Sequence, residues 1–364
     1  MKRRAFLGTT AASAASLSAT VTQAQTSASP TNLSQPSIRW RMATSWPKSL
    51  SILFGSVSLF CQRISEMTEG RFVITPYASD EIVPALQVMD AVADGTVECG
   101  HTLGYYYTDK SLALAFGTTV PFGLTAQQQL AWLMEGGGLP LLQKLYADFG
   151  IIQFPLGSTG AQMGGWFRQP VETLADLQGL KMRIPGLGGK VLARLGVNVQ
   201  VLAGSEIFEH LESGELDAAE WAGPYDDEQL GLNRVTAYYY YPGWWEPGTT
   251  YEVQINRQEW ERLPSSYQEA FRGAALEGHM SMMAEYDNAN SSALERLILG
   301  GTQLRAYDPS ILEAARQAAI DLYEEHSAAD SRFRDIYVAW KQFRSQVYAW
   351  EQLGTLPLIE MDTY

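Results

Sequence analysis

Hydrophobic and polar positions follow two different periods in the first hundred residues. Ile38, Trp40 and Met42 alternate with arginines, and this period of two predicts a strand. Apolar residues then recur at helical spacing: Leu53, Val57, Phe60, Ile64 and Met67. Gly70 ends this predicted helix, and Phe72 begins a second predicted strand. Because strands and helices continue to alternate, the pattern predicts an α/β fold with helices on the faces of a sheet.

Two segments of the chain repeat one pattern weakly. Residues 88–107 and 207–226 align at a constant offset that matches Gly95 with Gly214 and Tyr106 with Tyr225. Each segment predicts a helix, a glycine that ends it, a short strand and a loop with glycine and aromatic residues. Open α/β sheets bind ligands at such loops, so the repeat predicts two similar lobes that share a cleft. Chance is the alternative, since the order helix, glycine, strand is common.

The C-terminal region has a different period. Its apolar residues alternate spacings of three and four: Phe333, Ile336, Trp340, Phe343, Val347 and Trp350. This heptad-like pattern predicts a long helix with one apolar seam. Two interpretations stay open, because the seam can pack on its own lobe or dock on a second subunit.

Composition and the N-terminus restrict the class of protein. The 364 residues are 46% hydrophobic and 18% charged, which indicates a globular chain. A net charge of -14 argues against nucleic acid as a partner. Arg3 and Arg4 precede an apolar and small-residue run without acids, as in a twin-arginine signal cleaved after Ala24. No later segment has the roughly 18 apolar residues of a membrane span, so we expect a soluble periplasmic protein.

Common catalytic motifs do not occur in the sequence. It has no G-x-S-x-G elbow and no P-loop, and its four histidines are not spaced as metal ligands. Its two cysteines, Cys61 and Cys99, are expected to be buried thiols rather than a disulfide. The glycine-rich run at 186–190 predicts a tight turn before a helix whose N-terminus helps to hold an anion.

Four polar side chains stand among apolar or aromatic residues. Arg183 lies at the end of a predicted strand, and its guanidinium offers two prongs to a carboxylate. Glu220 lies between alanines and a tryptophan, and a buried acid needs a partner, either Arg183 or a metal ion. Glu246 follows a dense aromatic run that suits a ligand pocket. Gln162 offers a neutral oxygen where the chain crosses between the predicted lobes.

Five segments together resemble the solute-binding subunits of TRAP transporters, the tripartite ATP-independent periplasmic transporters. They are HTLGYYY at 101–107, TGAQMGGWFR at 159–168, GLKMR at 179–183, EWAGPYDDE at 220–228 and YYYYPGWWE at 238–246. The resemblance covers the chain after the signal and is strongest to the branch that binds 2-oxoacids such as pyruvate. It implies a two-lobed periplasmic-binding-protein-like α/β fold with a hinged cleft and a long C-terminal helix.

The resemblance also implies a site that contains a cation. A sodium ion would be bound by Gln162, Glu220 and the backbone carbonyl of Trp221, and would also touch the substrate. Arg183 would pair with the substrate carboxylate. Three further side chains would line the pocket: Tyr105, Tyr106 and Glu246. Related members that bind lactate use calcium instead. The sequence departs from the family pattern at 184–188, which puts the size of the preferred substrate in doubt.

These observations predict the organisation and function of the whole chain. We expect a signal at 1–24, one lobe from 36–160 and 249–288, a second from 161–248 and 289–328, and a C-terminal helix at 329–364. The expected function is capture of a pyruvate-like 2-oxo monocarboxylate with a cation, for delivery to a TRAP membrane permease, by a protein that forms a homodimer.

Three alternatives stay open at this point. The first is a protein that binds lactate or another 2-hydroxy acid with calcium. The second is an exported enzyme that uses Glu220 and Glu246 as an acid/base pair. The third is a signalling ectodomain or adhesin.

Overall fold

A computed structural model describes residues 35–361 of the chain, so the predicted signal at 1–24 lies outside the described residues. The strands are β1 Ile38–Thr44, β2 Phe72–Tyr77, β3 Cys99–Thr102, β4 Ile151–Gly160, β5 Trp166–Phe167, β6 Lys181–Arg183, β7 Asn198–Gln200, β8 Ala218–Ala219, β9 Tyr238–Tyr241, β10 Thr249–Asn256 and β11 Gln303–Ala306.

The α-helices alternate with these strands and continue beyond them. They are α1 Ser51–Met67, α2 Val88–Ala93, α3 Ala115–Thr118, α4 Ala126–Met134, α5 Gly138–Tyr146, α6 Gly186–Arg194, α7 Ile207–Ser213, α8 Pro224–Gln229, α9 Arg257–Arg262, α10 Ser265–Leu299, α11 Pro309–Ala329, α12 Ser331–Glu351 and α13 Leu356–Met361. Short 3₁₀ helices cover Ala85–Gln87, Gly104–Tyr107, Leu112–Leu114, Ala147–Phe149, Leu174–Leu177, Gly204–Glu206 and Leu232–Arg234. None of the helices in this range is long and apolar enough to cross a membrane.

The strands form two sheets with matching arrangements. The first sheet has the order β2-β1-β3-β10-β4, and the second has the order β11-β9-β5-β8-β6-β7. One strand in each sheet runs antiparallel to its two neighbours, β10 in the first and β5 in the second. The predicted α/β class is therefore confirmed, with two mixed sheets.

Each antiparallel strand reaches its sheet from the other sheet. The chain leaves β4 of the first sheet, passes through residues 161–165 and enters β5 of the second. It returns from β9 through residues 242–248 into β10. These two connections are called the crossovers below. Because β10 and β5 lie inside their sheets, each sheet is complete only when both crossovers are in place.

Helix α10 connects the two halves of the molecule on another side. It packs against β4, a strand of the first sheet, and against α1, which follows β1 of that sheet. It also packs against α8, which follows β8 of the second sheet. Near its middle, the Tyr286 hydroxyl donates a hydrogen bond of 2.8 Å to Asp226. One turn later, Asn290 accepts a 3.0 Å hydrogen bond from the backbone N–H of Tyr225. The loop after β8 is therefore fixed to this helix.

The elements predicted near the N-terminus are confirmed. In β1, Trp40 and Met42 are buried while Arg39 and Arg41 face outward. The predicted apolar face of α1 is buried except for Met67, which lies at the end of the helix. Both cysteines are buried free thiols, as expected.

The two repeated segments, residues 88–107 and 207–226, have the same local structure. Helix α2 ends before Gly95 and helix α7 ends at Gly214, and both glycines have a positive φ, 79° and 81°. Only glycine adopts this conformation at low cost, which explains its presence at both helix ends. The strands that follow, β3 and β8, are each a parallel neighbour of an earlier strand in their sheet. The predicted order of elements is therefore confirmed in both segments.

The glycine-rich run at 186–190 is not the predicted turn, because helix α6 begins at Gly186 itself. Close packing explains the glycines. A Cβ on Gly188 would lie 2.7 Å from the Cβ of Trp245, and one on Gly186 would lie 3.1 Å from the Cβ of Tyr105. The first turn of the helix therefore lies directly against two aromatic residues.

The predicted long C-terminal helix is confirmed as α12, but it is shorter than the predicted span of 329–364, because a second helix follows it within the described residues. Helix α12 ends at Glu351, and α13 begins at Leu356. Pro357 explains the break, since proline lacks the N–H that a continuing helix needs and clashes with the preceding turn. The first half of the predicted seam packs on the same chain, where Phe333 and Trp340 contact Phe116. Trp350, at the end of the seam, is exposed.

One buried acid makes the stability of the fold depend on pH. Glu252 on β10 is 1% exposed and accepts hydrogen bonds from Tyr146 and Gln254. Burial raises the pKa of Glu252 from 4.5 to about 7, although both hydrogen bonds lower it in part. Between these values the folded protein holds a proton that the unfolded chain has lost. The free energy of unfolding therefore falls as the pH rises from 4.5 through 7.

We expect Glu252→Gln to remove this part of the pH dependence. The replacement keeps the acceptor for Tyr146 but has no charge to bury, so the variant should be stabilised relative to the parent at pH 8 by up to about 3 kcal/mol. Urea unfolding at pH 5 and pH 8 measures the difference. Glu313→Gln, at an exposed site on α11, is the control and should leave the free energy of unfolding unchanged at both pH values. Equal pH dependence in the parent and Glu252→Gln would contradict the assignment.

Candidate functional site

The candidate site lies where the two crossovers run side by side. The backbone N–H of Gln162, in the first crossover, donates a 3.2 Å hydrogen bond to the carbonyl of Glu246, in the second. A Cβ on Gly243 would lie 2.3 Å from the carbonyl oxygen of Gln162, so only glycine allows this approach. The crossovers therefore bring two of the predicted site residues together.

The side chain of Gln162 is held in one orientation. Its Nε2 donates hydrogen bonds of 3.1 Å to the hydroxyls of Thr159 and Thr249. The Thr249 hydroxyl in turn donates to Glu246 at 2.7 Å. With both amide hydrogens in use, the Oε1 atom of Gln162 faces the other way. This oxygen is buried and has no hydrogen-bond partner among the described residues.

Arg183 lies at the end of β6, as predicted, and is 1% exposed. Its Nε donates to the carbonyl of Leu202 at 3.1 Å, and its Nη1 donates to the carbonyl of Glu220 at 2.8 Å and to the Glu220 carboxylate. The guanidinium therefore does not present an open two-pronged fork, because part of it is bound by the protein. Its buried Nη2 has no partner within residues 35–361 and is the prong that remains for a ligand.

Glu220 and Trp221 directly follow β8. The Glu220 side chain is 1% exposed and forms an ion pair with Arg183 through Oε1, so Arg183 is one partner of this buried acid. Its Oε2 is buried without a partner in the described range. Burial raises the pKa of Glu220, and the Arg183 charge opposes this. The Trp221 ring lies 5.2 Å from the Arg183 guanidinium carbon, so it covers the ion pair.

The loop after β3 contributes two aromatic side chains, Tyr105 and Tyr106, to the cluster. Tyr105 and Tyr106 pack edge to face, with ring centroids 5.1 Å apart. The Tyr105 hydroxyl donates a 3.4 Å hydrogen bond to Glu246. Burial raises the pKa of Glu246 to about 7, against the hydrogen bond from Thr249 and the charge of Arg183. All seven predicted site residues therefore lie in one cluster.

The cluster is closed to solvent by contacts between the two halves of the molecule. The Ser51 hydroxyl and the Tyr225 hydroxyl are 2.9 Å apart, and the rings of Trp46 and Trp221 lie 6.4 Å apart. Except for Tyr106, the predicted site residues are buried, with exposures of 6% or less. Electrostatic interactions in such an enclosed region are stronger than at a surface.

The residues that support the site were not predicted from the sequence. Thr159 and Thr249 orient Gln162, and Asp227 accepts a hydrogen bond from the backbone N–H of Ala222, the residue after Trp221. Asp227 lies within a segment quoted above, but an acid near the start of a helix is ordinary, so the pattern gave no reason to select it. Thr159 also begins a quoted segment, but nothing in the sequence pattern selects it or Thr249, since their role depends on which strands are neighbours.

The donor atoms of the cluster fit a cation that prefers oxygen. Gln162 Oε1 and Glu220 Oε2 are buried oxygens without partners in the described range. Acidic groups also outnumber basic ones here, because Glu220, Glu246 and Asp227 all interact electrostatically with the single guanidinium of Arg183. No group of three or more His, Cys, Asp or Glu side chains within residues 35–361 could hold a metal. Neutral amide and backbone oxygens would therefore supply the remaining ligands, as sodium and calcium accept.

Comparison with protein families gives a match over most of the chain. The model of the bacterial extracellular solute-binding proteins, family 7, matches residues 42–330. A monocarboxylate 2-oxoacid-binding periplasmic protein from Nostoc sp. is 55% identical over 356 residues, which is 98% of this chain and 97% of the relative.

Solved structures with the same fold contain cations and small carboxylates. A TRAP transporter solute-binding protein from Bordetella bronchiseptica has a TM-score of 0.89 and 44% identity over 90% of this chain and 97% of its own. It is a dimer with calcium and picolinate in one active site. A TRAP periplasmic solute-binding protein from Pseudoalteromonas atlantica, with bound sodium and pyruvate, has a TM-score of 0.86 and 34% identity over 88% of this chain and 98% of its own.

We expect the Arg183–Glu220 ion pair to show strong energetic coupling. Arg183→Met leaves the Glu220 carboxylate buried without its counter-charge, at a cost of about 3–5 kcal/mol in the free energy of unfolding. Adding Glu220→Gln removes that charge and should restore part of the loss. Urea unfolding without ligand measures the four members of this double-mutant cycle.

Arg194→Met is the control for this cycle. Arg194 forms a 2.5 Å ion pair with Glu325 at the surface, so its replacement should cost less than about 1 kcal/mol. Additive effects of Arg183→Met and Glu220→Gln would show that the two side chains do not depend on each other.

Proposed function

The chain belongs to family 7 of the bacterial extracellular solute-binding proteins, the solute-binding subunits of TRAP transporters, and from this premise we propose that it binds a pyruvate-like 2-oxo monocarboxylate together with a cation. Its family consists of binding proteins rather than enzymes. We therefore assign Glu220 and Glu246 to binding and not to acid/base catalysis. The protein delivers its ligand to the membrane permease of the transporter.

One observation carries the proposal. The buried cluster contains an unpaired donor, Nη2 of Arg183, and two unpaired oxygens, Oε1 of Gln162 and Oε2 of Glu220. Such atoms are rare in folded proteins, and although the described residues contain others, here a donor and two oxygens without partners lie in one buried cluster. A carboxylate would satisfy the donor, and a cation would satisfy the oxygens. A bound pair of carboxylate and cation therefore completes the site in a way that neither component does alone.

The cation removes a repulsion that would otherwise oppose binding. Two like charges 4 Å apart cost about 4 kcal/mol at an effective dielectric constant of 20, and a substrate carboxylate beside Glu220 would meet such a cost. A cation bound by Gln162, Glu220 and the Trp221 carbonyl attracts both carboxylates instead. The keto oxygen of a 2-oxoacid, next to its carboxylate, gives the substrate a second oxygen for the same cation.

We propose sodium as the cation, with calcium as the alternative. Glu220 is the single carboxylate among the three proposed ligands, and Arg183 already balances part of its charge. Such a ligand set suits a monovalent ion. The Pseudoalteromonas relative with pyruvate holds sodium, whereas the Bordetella relative holds calcium, so each ion has a precedent. Calcium would be compatible with the same ligand, since the 34% identical TRAP protein from Colwellia psychrerythraea has calcium and pyruvate bound. A 2-hydroxy acid such as lactate with calcium stays the alternative.

We further propose that each sheet with its helices is a lobe and that the cleft between them closes on the ligand. The first lobe comprises 36–160 and 249–288, and the second comprises 161–248 and 289–328. Every change of lobe within residues 36–256 occurs at a crossover, so small backbone rotations there would open the cleft. Export through the twin-arginine signal at 1–24 would place this receptor in the periplasm.

The C-terminal segment is proposed to form a homodimer interface. Beyond the packed half of α12, large apolar side chains are exposed: Trp350 67%, Leu353 80%, Leu358 65%, Ile359 60% and Met361 72%. A contiguous exposed apolar segment of this kind marks an interaction surface. The dimer of the Bordetella relative supports a second copy as the partner.

We expect pyruvate to stabilise the protein only in the presence of the cation. In sodium chloride, pyruvate at about 100 times its Kd should add about 2.7 kcal/mol and raise the Tm, whereas choline chloride at the same ionic strength should give no rise. Gln162→Met removes one oxygen ligand and should raise the sodium concentration at half-effect by at least about tenfold. Differential scanning fluorimetry measures both effects.

Gln129→Met is the control for this experiment. Gln129 is also a buried glutamine, but its side chain donates to the carbonyl of Phe116 and not to any of the seven site residues. This variant should lose stability without a change in its response to sodium. A pyruvate response that is equal in sodium and choline would contradict the bridging cation. A response to calcium with lactate alone would favour the alternative ligand.

We expect polar replacements in the C-terminal segment to give a monomer. Leu353→Ser combined with Ile359→Ser should lower the association constant by at least about tenfold, because each replacement removes apolar surface from the interface. Sedimentation velocity measures the fraction of dimer. Leu299→Ser, at an equally exposed leucine outside this segment, should leave the dimer intact. A parent protein that is monomeric at all concentrations would contradict the proposal.

A further inference from the structure

Asp227 is a buried acid whose hydrogen-bond partners among the described residues are all neutral groups. It is 1% exposed and takes part in no ion pair in this range. One carboxylate oxygen, Oδ2, accepts hydrogen bonds from the Trp166 indole at 2.9 Å and the Tyr239 hydroxyl at 2.6 Å. The other, Oδ1, accepts from the backbone N–H of Ala222 at 3.1 Å. Three donors therefore fix the position of this carboxylate.

The Ala222 N–H belongs to the same peptide unit as the Trp221 carbonyl. This peptide is trans, and in a trans peptide the N–H and the C=O point in opposite directions. When Asp227 holds the N–H on one side, it directs the Trp221 oxygen to the other side. No hydrogen-bond donor within residues 35–361 contacts that oxygen.

A second contact fixes the same segment relative to Gln162. The carbonyl of Ala222 accepts a 3.0 Å hydrogen bond from the backbone N–H of Met163, the residue after Gln162. Two of the three proposed cation ligands, Gln162 and Trp221, therefore lie on segments that are hydrogen-bonded to each other. The position of the Trp221 oxygen relative to Gln162 is set by the backbone rather than by flexible side chains.

We propose that Asp227 is a positioning residue for the cation. Its carboxylate directs the Trp221 carbonyl oxygen into the site and polarises it, because a hydrogen bond to an anionic acceptor strengthens the dipole of the peptide that donates it. Carboxylates that orient metal ligands from behind commonly contribute 10- to 100-fold to metal affinity. This inference rests on the proposed function, since it needs a cation bound by Trp221.

The alternative is that Asp227 only stabilises the fold. It lies in the first turns of α8, where acids are favourable, and it satisfies two buried aromatic donors. Under that alternative, its replacement lowers stability and affects the cation and the substrate alike. A test therefore has to separate cation affinity from substrate affinity.

Asp227→Asn keeps the shape of the side chain and removes its charge. We expect the cation concentration at half-saturation, measured without pyruvate from intrinsic tryptophan fluorescence, to rise about tenfold. We expect the pyruvate Kd at saturating cation, measured by calorimetry, to change less than about threefold, because Arg183 binds the carboxylate separately. An unchanged half-saturation, or equal changes in both values, would overturn the proposal.

Two further variants complete the test. Asp226→Asn is the matched control, since Asp226 is equally buried on the same helix turn but accepts from the side chains of Tyr286 and Trp221 and from no backbone N–H. It should leave the cation half-saturation within about twofold. If Asp227→Asn does not fold, Tyr239→Phe removes one donor to Asp227 and should raise the half-saturation about two- to threefold. No change in that variant would overturn the proposal.

The outcomes separate this inference from the proposed function. A parent protein whose fluorescence responds to neither sodium nor calcium, and whose pyruvate Kd is independent of both, contradicts the cation site itself. A parent that binds the cation with the same half-saturation as Asp227→Asn contradicts only the role of Asp227.

Discussion

The close approach of the two crossovers is the constraint on which the binding cluster depends. Gln162 and Glu246 are joined through their backbones, and the absence of a side chain at Gly243 allows the contact. Both sheets receive an internal strand through these connections. The same chain segments therefore complete the sheets and carry the site, so the geometry of the ligand atoms follows from the fold.

Around this constraint the molecule collects more buried acidic groups than basic groups. Arg183 is surrounded by Glu220, Glu246 and Asp227, all at most 3% exposed. A buried ion pair with additional like charges nearby gains little stability by itself. The arrangement of this ion pair is better explained by the binding of a carboxylate together with a cation, which brings one charge of each sign. An acidic protein with a net charge of -14 can in this way bind an anion without a basic surface.

Much of the architecture followed from the sequence because it depends on local patterns. Alternation in β1, the apolar face of α1 and the glycines after α2 and α7 are each readable within about twenty residues. The glycine-rich start of α6 was misread, because its glycines serve contacts with Tyr105 and Trp245 that are distant in sequence. The break before α13 was also missed, although Pro357 could have indicated it.

The seven site residues were selected through a family resemblance and through polar residues among apolar neighbours. Their supporting contacts were not predictable in the same way. Thr249 and Asp227 act on residues that other strands bring close, and single-sequence patterns contain no information about such neighbours. The open choice for Glu220, between an arginine and a metal, also depends on tertiary contacts, because Arg183 contacts one carboxylate oxygen and the other has no partner in the described range.

The strand order has a consequence for synthesis of the chain. Within residues 35–361, β10 is the only strand that pairs with β4, and about ninety residues separate the end of β4 from the start of β10. The ribosome therefore releases all of β5 to β9 before the first sheet can close. An unpaired strand edge persists during that interval, and such edges promote aggregation. Protection of the nascent chain over this stretch is thus a requirement built into the topology.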